Sequence, residues 1–547
     1  MRIAVAGGGP GGLFFATLMR RADPSAEITV FERNRADDTF GFGVVFSDRT
    51  LAAIDEADPV LREALSVHGR HWDDIEVRLK GERIRCGGNG MASVVRRTLL
   101  SLLQARAAEA GADLRFSTYV TLEDLAGYDL VVAADGTGSA IRSRLEEQLG
   151  ADVETATAKF IWFGTDYLFD GLTFLHERGP HGVFAVHGYP ISDGLSTFIV
   201  ETDEESWRRA GLDEFDTTRP PGPSDVKSRE YLEKLFAGQI DGGRLLVNNS
   251  RWGNFRTRRT KRWHTLSPRP VVFVGDAVHT AHFSVGSGTK MAMEDSIALT
   301  AALAAHPGDL ASAFAAYEEA AQPSVRKIQD SARPSLSWWE HFGTYYDQFE
   351  PWQFAYHFFT RALTDGRLAR RAPDFVAGSH AAWADAHGRR HPLRTPFTDR
   401  GWSAPDRVVG VAGTDGAAGE AGAPSAVITG DSRLALLETA RSVPDKELWG
   451  CVVAAPGSEA GLPAARARLD ALAAAGPTLA AVHGGTPLTR VLLCEHARFA
   501  RGLPALLIEP DLDTDRAVTT ILSGRADLVG VPAEAASAWR HDLAGGR

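Results

Sequence analysis

Cysteine is scarce in this sequence, and its scarcity excludes two kinds of stabilising chemistry. Of 547 residues only Cys86, Cys451 and Cys494 are cysteine, and they lie far apart with no CxxC pair. A structural zinc site needs clustered thiol or imidazole ligands, and a disulfide framework needs a dense, even set of cysteines. We therefore expect no metal centre, no disulfide framework and a reducing, cytoplasmic location.

Long apolar runs and an excess of positive charge are also missing. No apolar stretch approaches the roughly 20 residues that a membrane helix needs, and the chain opens on a strand pattern rather than a signal peptide. The formal net charge is -11, which argues against nucleic acid as the main partner. We expect neither a membrane nor a nucleic acid as a partner.

The order of local patterns predicts an α/β protein of more than one domain. A chain of this length is too long for one compact core. Strand, glycine turn, helix and strand follow one another over residues 2–32, and residues 157–205 alternate as an antiparallel sheet does. We predict a Rossmann-like domain over 1–385, with an inserted β-sheet layer at about 155–260 and a helical tail at about 290–385.

The composition changes in the C-terminal part of the chain. Residues 386–430 are rich first in Arg, His and Pro and then in Ala and Gly, and they include GTDGAAGEAGAPS (413–425), which is typical of a flexible loop. Short apolar runs then alternate with helix-like stretches. We interpret 386–430 as a linker and 431–547 as a small α/β domain with a parallel sheet.

The first motif is Gly7-x-Gly9-x-x-Gly12, which follows a strand and opens a helix. In that context the glycines allow a tight turn, a close approach of the backbone to a pyrophosphate, and close packing of helix on strand. Glu32 ends the next strand, where a carboxylate can accept hydrogen bonds from a ribose diol. The alternative, a tight strand–helix turn without a ligand, is the weaker interpretation because the whole context is present.

Two further motifs also end strands. DLVVAADGTGSAIR (129–142) places Asp135 at the end of a strand, and GDAVHTAHFSVGSGTKMAMEDS (275–296) does the same with Asp276. A strand-terminal Asp beside a helix N-terminus can hold a ribityl hydroxyl, and the amides of the Gly286–Thr289 turn can face the flavin pyrimidine. Arg96 lies where it can reach cofactor phosphates.

Together these three motifs resemble the single-component FAD-dependent aromatic monooxygenases, the group that includes para-hydroxybenzoate hydroxylase. The resemblance covers roughly residues 1–380 and implies one bound FAD, NADH or NADPH as reductant, O2 as co-substrate and a substrate layer of β-sheet. The FAD contacts it implies are Gly7, Gly9, Gly12, Glu32, Arg33, Arg96, Asp135, Asp276, Gly286, Gly288 and Thr289.

Other segments are similar to a narrower subgroup. ERNRADDTFGFGVVFSD (32–48), FIWFGT (160–165), STFIVETDEESWRRAGLD (196–213) and HTAHFSVGSGTK (279–290) resemble the salicylyl-CoA 5-hydroxylases and the monooxygenase half of 2-aminobenzoyl-CoA monooxygenase/reductase. In the wider family the positions of Phe283 and Lys290 usually hold proline and asparagine, whereas the phenylalanine and lysine found here are usual in this subgroup. The resemblance implies oxygenation, through a flavin C4a-(hydro)peroxide, of an aromatic ring held as a coenzyme A thioester.

Such a reaction needs a dry pocket that aligns the ring and assists proton movement. Trp162, Phe163, Phe283, Trp338 and Trp339 are candidates for the wall of that pocket, although for each one singly an ordinary core position is the favoured interpretation. His282 and Lys290 are the candidate polar groups for catalysis, with His279 close by. For His282 a proton-transfer role and a structural role are equally open.

The phosphates of coenzyme A need cations. FRTRRTKRW (255–263) contains five of them, and we take Arg258 and Arg259 as candidate substrate-binding residues. The alternative, a solvated turn before the strand at 270, is favoured because charge runs usually form solvated faces.

The C-terminal region is similar to two parts of an old-yellow-enzyme barrel. HPLRTPFTDRGWSAPDRVVGV (391–411) resembles its beginning and VTTILSGRADLVGVP (518–532) its end. A (β/α)8 barrel usually needs about 250 residues, and fewer are present here. We expect a degenerate barrel remnant that binds no FMN and that covers the monooxygenase domain or supports a homodimer.

Three functions stay open at this point. Ring hydroxylation of an aromatic acyl-CoA is the leading interpretation. Epoxidation or dioxygenation of a non-benzenoid ring CoA ester, as in tropone and tropolone biosynthesis, uses the same flavin chemistry. A flavin-binding redox or scaffold protein without oxygenase activity is the third, and the intact FAD motifs together with an apolar pocket argue against it.

Overall fold

The chain divides into an N-terminal unit, Met1–Gly343, and a C-terminal unit, Thr344–Arg547. Buried apolar residues form the core of each unit. The computed structural model describes residues 1–39, 41–47, 51–216, 222–283, 286, 288–413, 423–429, 432–439, 448–509, 511–536 and 538–539. Of the predicted loop at 413–425, residues 414–422 lie outside the described residues, as do Ser284, Val285 and Ser287 of the 275–296 motif.

The elements of the N-terminal unit follow the predicted order. Its strands are β1 (Arg2–Ala6), β2 (Glu27–Phe31), β3 (Gly43–Ser47), β4 (Arg70–Trp72), β5 (Ile75–Leu79), β6 (Glu82–Cys86), β7 (Met91–Val95), β8 (Asp113–Arg115), β9 (Leu130–Ala133), β10 (Ala151–Thr165), β11 (Leu172–Gly179), β12 (Gly182–Ser192), β13 (Leu195–Thr202), β14 (Leu245–Leu246), β15 (Gly253–Thr260), β16 (His264–Thr265) and β17 (Val271–Phe273). Its helices are α1 (Pro10–Ala22), α2 (Ala52–Ala57), α3 (Val60–His68), α4 (Arg96–Glu109), α5 (Ala140–Leu149), α6 (Glu204–Arg209), α7 (Val226–Phe236), α8 (Gly288–Ala305) and α9 (Leu310–Gln348).

A sheet of mainly parallel strands forms the nucleotide-binding part of this unit. Its order is β16-β17-β9-β1-β2-β8, and β1 runs parallel to both β2 and β9. Ile3, Ala4 and Val5 of β1 are fully buried, as expected for a parallel strand that is covered on both faces. The predicted α/β arrangement of this region is confirmed, and the carboxyl ends of β1, β2, β9 and β17 meet at one edge of the sheet.

The second large sheet is mainly antiparallel. Its order is β14-β10-β13-β12-β11-β5-β6, with β15 paired to β10. The sequence predicts the antiparallel run of β10 to β13. It misses β5 and β6, which come from residues 75–86 and join the sheet through a parallel contact of β5 with β11.

The basic segment 255–263 is a strand where it was expected to be a solvated turn. Residues Gly253–Thr260 form β15, which pairs antiparallel with β10 from Ala151 to Phe160. The solvated-turn interpretation is therefore wrong for most of this segment. The side chains of Thr257, Arg258 and Thr260 are buried in the N-terminal unit. Because polar and charged residues occupy these buried positions, the segment lacks the apolar alternation by which a strand is recognised in a sequence.

The C-terminal unit contains a small closed barrel. Its helices after α9 are α10 (Pro351–Phe359), α11 (Asp365–Ala369), α12 (Pro373–Ala386), α13 (Leu462–Ala473), α14 (Pro487–Glu495) and α15 (Thr514–Leu522). Its strands are β18 (Phe397–Asp399), β19 (Trp402–Ala404), β20 (Val408–Ala412), β21 (Ala426–Thr429), β22 (Ser432–Leu437), β23 (Trp449–Ala454), β24 (Ala480–His483), β25 (Ala505–Ile508) and β26 (Leu528–Pro532). In the described residues β20 to β26 close into a seven-stranded barrel, in which β21 is antiparallel to both of its neighbours. The sequence predicts the α/β alternation here but neither the closure nor the antiparallel strand.

Side chains fill the interior of this barrel. Val411, Val452, Leu506 and Leu528 belong to one buried cluster that also contains Phe397 and Trp402 of the β18–β19 hairpin. A Cβ atom on Gly530 would lie 2.7 Å from Val411 and 2.9 Å from Ile508. The interior is packed as the cores of small barrels are.

The predicted linker is folded where the structure describes it. Residues 386–413 and 423–429 contribute β18, β19, β20 and β21, because the barrel begins at Val408 rather than near 431. Contacts divide the chain after Gly343, inside α9, whereas the sequence predicts a boundary near 385. Among the described helices, not one combines the length and apolar character needed to cross a membrane.

Candidate active site

The turn between β1 and α1 is shaped by two glycines. Gly7 has φ +114°, and a Cβ atom there would lie 2.2 Å from the carbonyl oxygen of Ala134. A Cβ atom on Gly12 would lie 2.1 Å from the carbonyl oxygen of Gly7. Gly9, by contrast, faces open space and forms the N-cap of α1 without a side-chain cap. The amide end of α1 is thus open to an anionic group, as in dinucleotide sites.

Glu32 lies directly after β2 and closes one side of this turn. Its Oε2 accepts a hydrogen bond of 2.9 Å from the amide of Gly8. Its Oε1 accepts from the backbone amide and the side-chain amide of Asn34, at 2.8 Å and 2.7 Å. The carboxylate therefore lies beside the glycine turn, which is the position it needs for the predicted contact with a ribose. Arg33 is exposed.

Three half-buried charged side chains near this edge, Arg96, Asp135 and Asp276, are not fully partnered by the described residues. No side-chain hydrogen bond or ion pair joins Arg96 or Asp276 to those residues. Asp135 Oδ2 accepts from the amide of Ala140 at 2.9 Å, whereas its Oδ1 is buried without a partner there. Burial raises the pKa of Asp276, and the charges of His279 and Arg96 only partly offset the effect. Burial likewise raises the pKa of Asp135 and lowers that of Arg96. Buried polar groups are normally satisfied, so this trio fits a ligand that carries both hydroxyls and phosphates.

The start of α8 borders the same cluster. A Cβ atom on Gly288 would lie 4.0 Å from Asp276 Oδ1, and Gly286 takes φ +62°. Gly288 and Thr289 are the first residues of α8, whose N-terminal end carries a partial positive charge. Lys290 forms an ion pair of 2.6 Å with Glu294 one turn later.

His279 belongs to the scaffold beneath the cluster. Its Nε2 lies 2.7 Å from Asp295 Oδ2, which also accepts the amide of Gly275 at 2.7 Å. Burial alone would lower the pKa of His279, but the charge and hydrogen bond of Asp295 raise it above its ordinary value of 6.5. The pair holds the loop that carries Asp276 against α8.

Replacing Asp295 with asparagine should destabilise the N-terminal unit. Breaking a buried pair costs about 3–5 kcal/mol. Because the pKa of His279 is raised, the pair contributes fully below pH 6.5 and its contribution is lost as the pH rises through the raised pKa. Chemical denaturation should therefore show a larger loss at pH 6 than in alkaline buffer.

Glu318→Gln provides the control for that measurement. Glu318 lies 2.7 Å from His264, and both side chains are partly exposed. We expect its loss to cost about 1 kcal/mol at most. An equal cost for Asp295→Asn would contradict a buried pair.

One face of the antiparallel sheet is lined by aromatic and ionisable side chains. In the register, Phe160 pairs with Glu201, Trp162 with Ile199, and Ile199 in turn with His187. Directly paired residues point to the same face. The next strand adds Phe174, which pairs with His187. Phe163 points to the opposite face and packs in the apolar core with Phe198, so it takes the core position favoured for each of these residues singly and not a place in the pocket wall.

Glu201 joins two histidines on this face. His187 Nε2 lies 3.0 Å from Glu201 Oε2, and His282 Nε2 lies 3.4 Å from Glu201 Oε1. All three side chains are buried. Burial would raise the pKa of Glu201, but the charge and hydrogen bond of His187, together with His282, lower it to about 2. The 275–296 motif predicts His282 as a site residue, but no pattern in the sequence predicts Glu201 or His187.

Phe283 lies over these groups. Its ring stacks on His282 at 4.4 Å and contacts Phe160 at 5.1 Å and His187 at 5.4 Å. Trp339 contacts His187 at 4.2 Å. These side chains form an aromatic wall, in which Phe283 and Phe160 are only half-buried.

The two predicted substrate-binding tryptophans lie at different places. Trp162 is half-buried and lies under Gly41, at which a Cβ atom would be 3.5 Å from the indole ring. Its Nε1 is buried and has no hydrogen-bond partner among the described residues. Trp338 is buried and packs against His176 and Phe342.

The two predicted phosphate-binding arginines are engaged within the unit. Arg258 is buried and donates to the carbonyl oxygen of Thr137 at 3.2 Å. Arg259 is partly exposed, donates to Gln329 at 3.2 Å and pairs with Asp330 at 3.0 Å. Burial lowers the pKa of Arg258. This placement favours a structural role for Arg258.

Comparison with known proteins identifies the family of this chain. The model of the FAD binding domain family matches residues 1–332. Salicyloyl-CoA 5-hydroxylase of a Streptomyces species is 54% identical over 97% of this chain and 99% of its own. The 3-hydroxy-4-methyl-anthranilyl-[aryl-carrier protein] 5-monooxygenase of Streptosporangium sibiricum is 37% identical over 62% of this chain and 89% of its own. Protodeoxyviolaceinate monooxygenase of Chromobacterium violaceum is 32% identical over 62% and 89%.

The family match covers the glycine turn, the charged trio and the residues of the aromatic wall other than Trp339. The similarity to the Streptomyces enzyme extends through the C-terminal unit as well. The chain belongs to the FAD-dependent aromatic-ring monooxygenases, and its cofactor is FAD.

Proposed function

We propose that this enzyme hydroxylates the ring of an aromatic acyl-CoA thioester, with NADH or NADPH as reductant and O2 as co-substrate. One observation carries the proposal: the aromatic wall, with the buried Glu201 and two histidines, lies on the antiparallel sheet of the N-terminal unit. The same unit contains the glycine turn and the charged trio, which we call the FAD cradle. The similarity over nearly the full length of salicyloyl-CoA 5-hydroxylase supports the substrate class.

The residues of the cradle fit FAD in charge and shape. The turn at Gly7, Gly9 and Gly12 would take the pyrophosphate, Glu32 the adenosine ribose, and Arg96 the phosphates. Asp135 and Asp276 would hold hydroxyls of the ribityl chain, and Gly286 together with Gly288 and Thr289 of the first turn of α8 would face the pyrimidine ring. Arg33 stays a predicted contact at the exposed side. When bound, FAD supplies the redox chemistry by accepting a hydride and activating O2.

The protein contributes orientation, dryness and proton handling. Phe283, Phe160 and Trp162 would sandwich and align the ring, and their apolar surfaces exclude water from the reacting atoms. The Nε1 atom of Trp162, which has no hydrogen-bond partner in the part of the chain that the structure describes, would donate to a polar group of the substrate. His282 would accept a proton, while the Lys290–Glu294 pair lies at the start of α8 as a further polar group. Trp338 would support the wall from behind.

The coenzyme A tail requires cations near the pocket. Arg259 is partly exposed on β15, and we assign it the role of a phosphate contact, which would require exchange of Asp330 for phosphate. Arg258 would act from beneath by holding β15 in place.

The C-terminal barrel, in this proposal, is a remnant of an old-yellow-enzyme reductase that has lost its own flavin. Thr486 and Thr489 cap α14 with a capping box, and Asp513 caps α15. These helix ends are thus occupied by the protein's own oxygen atoms, one of them a carboxylate that would repel a phosphate. The interior is filled. We assign the barrel a structural role, and we keep a homodimer and a cytoplasmic location as parts of the same proposal.

Turnover with a matched pair of substrates tests the proposed function. Purified FAD-loaded protein would receive O2, NADH or NADPH, and either salicyloyl-CoA or free salicylate. We expect one added oxygen atom on the thioester and unchanged free acid. Two added oxygen atoms would instead favour dioxygenation, and one added oxygen atom without a new ring hydroxyl would favour epoxidation. Product from the free acid alone would refute the thioester assignment.

A further inference from the structure

The side chain of Gln329 lies where three elements of the N-terminal unit meet. It projects from α9 and is only 4% exposed. Its Nε2 donates hydrogen bonds to the carbonyl oxygens of Arg258 on β15, at 2.7 Å, and of Thr280, at 2.9 Å. Its Oε1 accepts a hydrogen bond of 3.2 Å from Arg259. Two carbonyl acceptors and one guanidinium donor fix the orientation of the amide, since a flipped amide would face each partner with a group of the same kind.

The partners of this amide belong to different parts of the candidate site. Thr280 lies in the loop 279–283, three residues before Phe283 of the aromatic wall. Arg259 is partly exposed and pairs at 3.0 Å with Asp330, whose side chain is 71% exposed. One buried amide, that of Gln329, therefore contacts both the loop that carries a wall residue and the arginine assigned to the phosphates of coenzyme A.

We propose that Gln329 is a positioning residue that couples phosphate binding at Arg259 to the placement of Phe283, and that it thereby makes the enzyme specific for a coenzyme A thioester. This role rests on the proposed function, because it uses the coenzyme A contact assigned to Arg259. Gln329 would act on the ring only through the loop 279–283, and on the phosphates only through Arg259.

Charge and burial explain the coupling. Without substrate, Arg259 shares its guanidinium between Gln329 and the exposed carboxylate of Asp330. A phosphate monoester binds a guanidinium through two oxygen atoms and carries more negative charge than a carboxylate. When Arg259 turns to a phosphate, the buried Oε1 of Gln329 loses its donor, and a buried acceptor without a donor is unfavourable. The amide regains a donor only by moving, and any such movement changes the hydrogen bond between its Nε2 and Thr280.

The loop is also fastened by contacts that do not involve Gln329. The amide of Arg258 donates to Thr280 Oγ1 at 2.8 Å, and His279 pairs with Asp295 at 2.7 Å. Removing the amide of Gln329 should therefore leave the loop folded, while its link to the phosphate contact is lost.

Two thioesters, one with phosphates and one without, test this coupling. Salicyloyl-CoA and salicyloyl-pantetheine carry the same ring and the same thioester, but the second lacks the phosphorylated adenosine part. For each ester, the dissociation constant would be measured on the oxidised FAD-loaded protein. The fraction of NAD(P)H converted to hydroxylated product would then be measured at concentrations well above that constant. In the wild-type protein we expect the fraction to be about tenfold higher with salicyloyl-CoA.

Gln329→Met should give the same fraction with both esters. Salicyloyl-CoA should still bind more tightly than salicyloyl-pantetheine, because Arg259 is retained. Gln329→Glu keeps the length of the side chain, but a carboxylate cannot donate to the two carbonyl oxygens. It should also remove the difference in product, and it should weaken the binding of salicyloyl-CoA because it holds Arg259 more strongly. Asp330→Asn removes a competitor of the phosphate, so it should tighten that binding and preserve the difference in product.

Gln322→Met is the matched control on the same helix. Gln322 lies seven residues, about two turns, before Gln329. It has similar partners, since it donates to the carbonyl oxygen of Lys261 at 3.2 Å and accepts from Arg326 at 2.8 Å. Because these partners lie outside the loop 279–283, the variant should keep the wild-type difference between the esters. FAD absorbance would be recorded for every variant, so that a lost fold is recognised.

The outcomes separate the coupling from the proposed function. A wild-type difference between the esters in Gln329→Met, with FAD still bound, would overturn the coupling, and so would loss of the difference in Gln322→Met. If Gln329→Met loses FAD, Gln329→Glu decides, and loss of FAD in both would assign Gln329 to the scaffold and overturn the coupling. Equal fractions from the two esters in the wild-type protein would overturn it too, while hydroxylation of an aromatic thioester stands. A wild-type protein that neither binds nor hydroxylates salicyloyl-CoA would refute the proposed function itself.

Discussion

Gly9→Ala should yield a folded protein that no longer retains FAD. Gly9 has φ -79° and ψ 178°, which alanine adopts without strain, and a new Cβ atom would meet no protein atom within 4 Å. The methyl group would instead occupy the space through which the pyrophosphate approaches the amides of α1. We expect FAD to bind about 100-fold more weakly, a loss of about 2.7 kcal/mol.

Two comparisons make this result specific. Gly127→Ala also adds a methyl group in open space, but away from the turn, and it should bind FAD as the parent does. Gly12→Ala would place its Cβ atom against the carbonyl oxygen of Gly7, so it should disturb the fold as well. Titration of apoprotein with FAD, together with circular dichroism, checks all three. Normal FAD affinity in Gly9→Ala would contradict the assignment of the cradle.

Phe283→Ala should separate NAD(P)H oxidation from hydroxylation. The ring of Phe283 contacts Phe160, Phe255 and His282, and its removal would leave a gap that water can fill on the polar side of the wall. Water at the reacting centre diverts reducing equivalents to hydrogen peroxide. We expect FAD to stay bound, and the fraction of NAD(P)H converted to hydroxylated product to fall about tenfold or more.

Phe163→Leu is the control for that variant, since Phe163 lies on β10, the strand that carries Phe160, but in the core on the opposite face of the sheet. It should cost stability and leave the ratio of product to NAD(P)H nearly unchanged. Hydrogen peroxide and product would be measured in parallel. Full coupling in Phe283→Ala would show that the aromatic wall does not shield the reaction.

The sequence predicts well those features that depend on local order. The glycine turn, Glu32 after β2, and Asp135 and Asp276 after buried strands follow from motif spacing along the chain. Parallel strands bring their carboxyl ends to one edge, so these residues meet without any further information. The resemblance to a known family added the cofactor and the substrate class.

Features that depend on pairing between distant strands escaped the sequence. Glu201 and His187 meet only because β12 and β13 pair in one register, and a shift of one residue would turn either side chain to the opposite face. The basic composition of 255–263 concealed β15, whose strand pairing overrides the charge pattern. Closure of the C-terminal barrel depends on the parallel contact of β20 with β26, more than 100 residues apart.

Anaerobic reduction of the flavin tests the central claim most directly. FAD-loaded protein would be mixed with NADH or NADPH in the presence of salicyloyl-CoA, free salicylate or neither, and flavin bleaching would be followed over time. We expect the thioester to accelerate reduction and the free acid to leave its rate unchanged. Acceleration by the free acid alone, or by neither compound, would contradict an oxygenase that acts on an aromatic acyl-CoA.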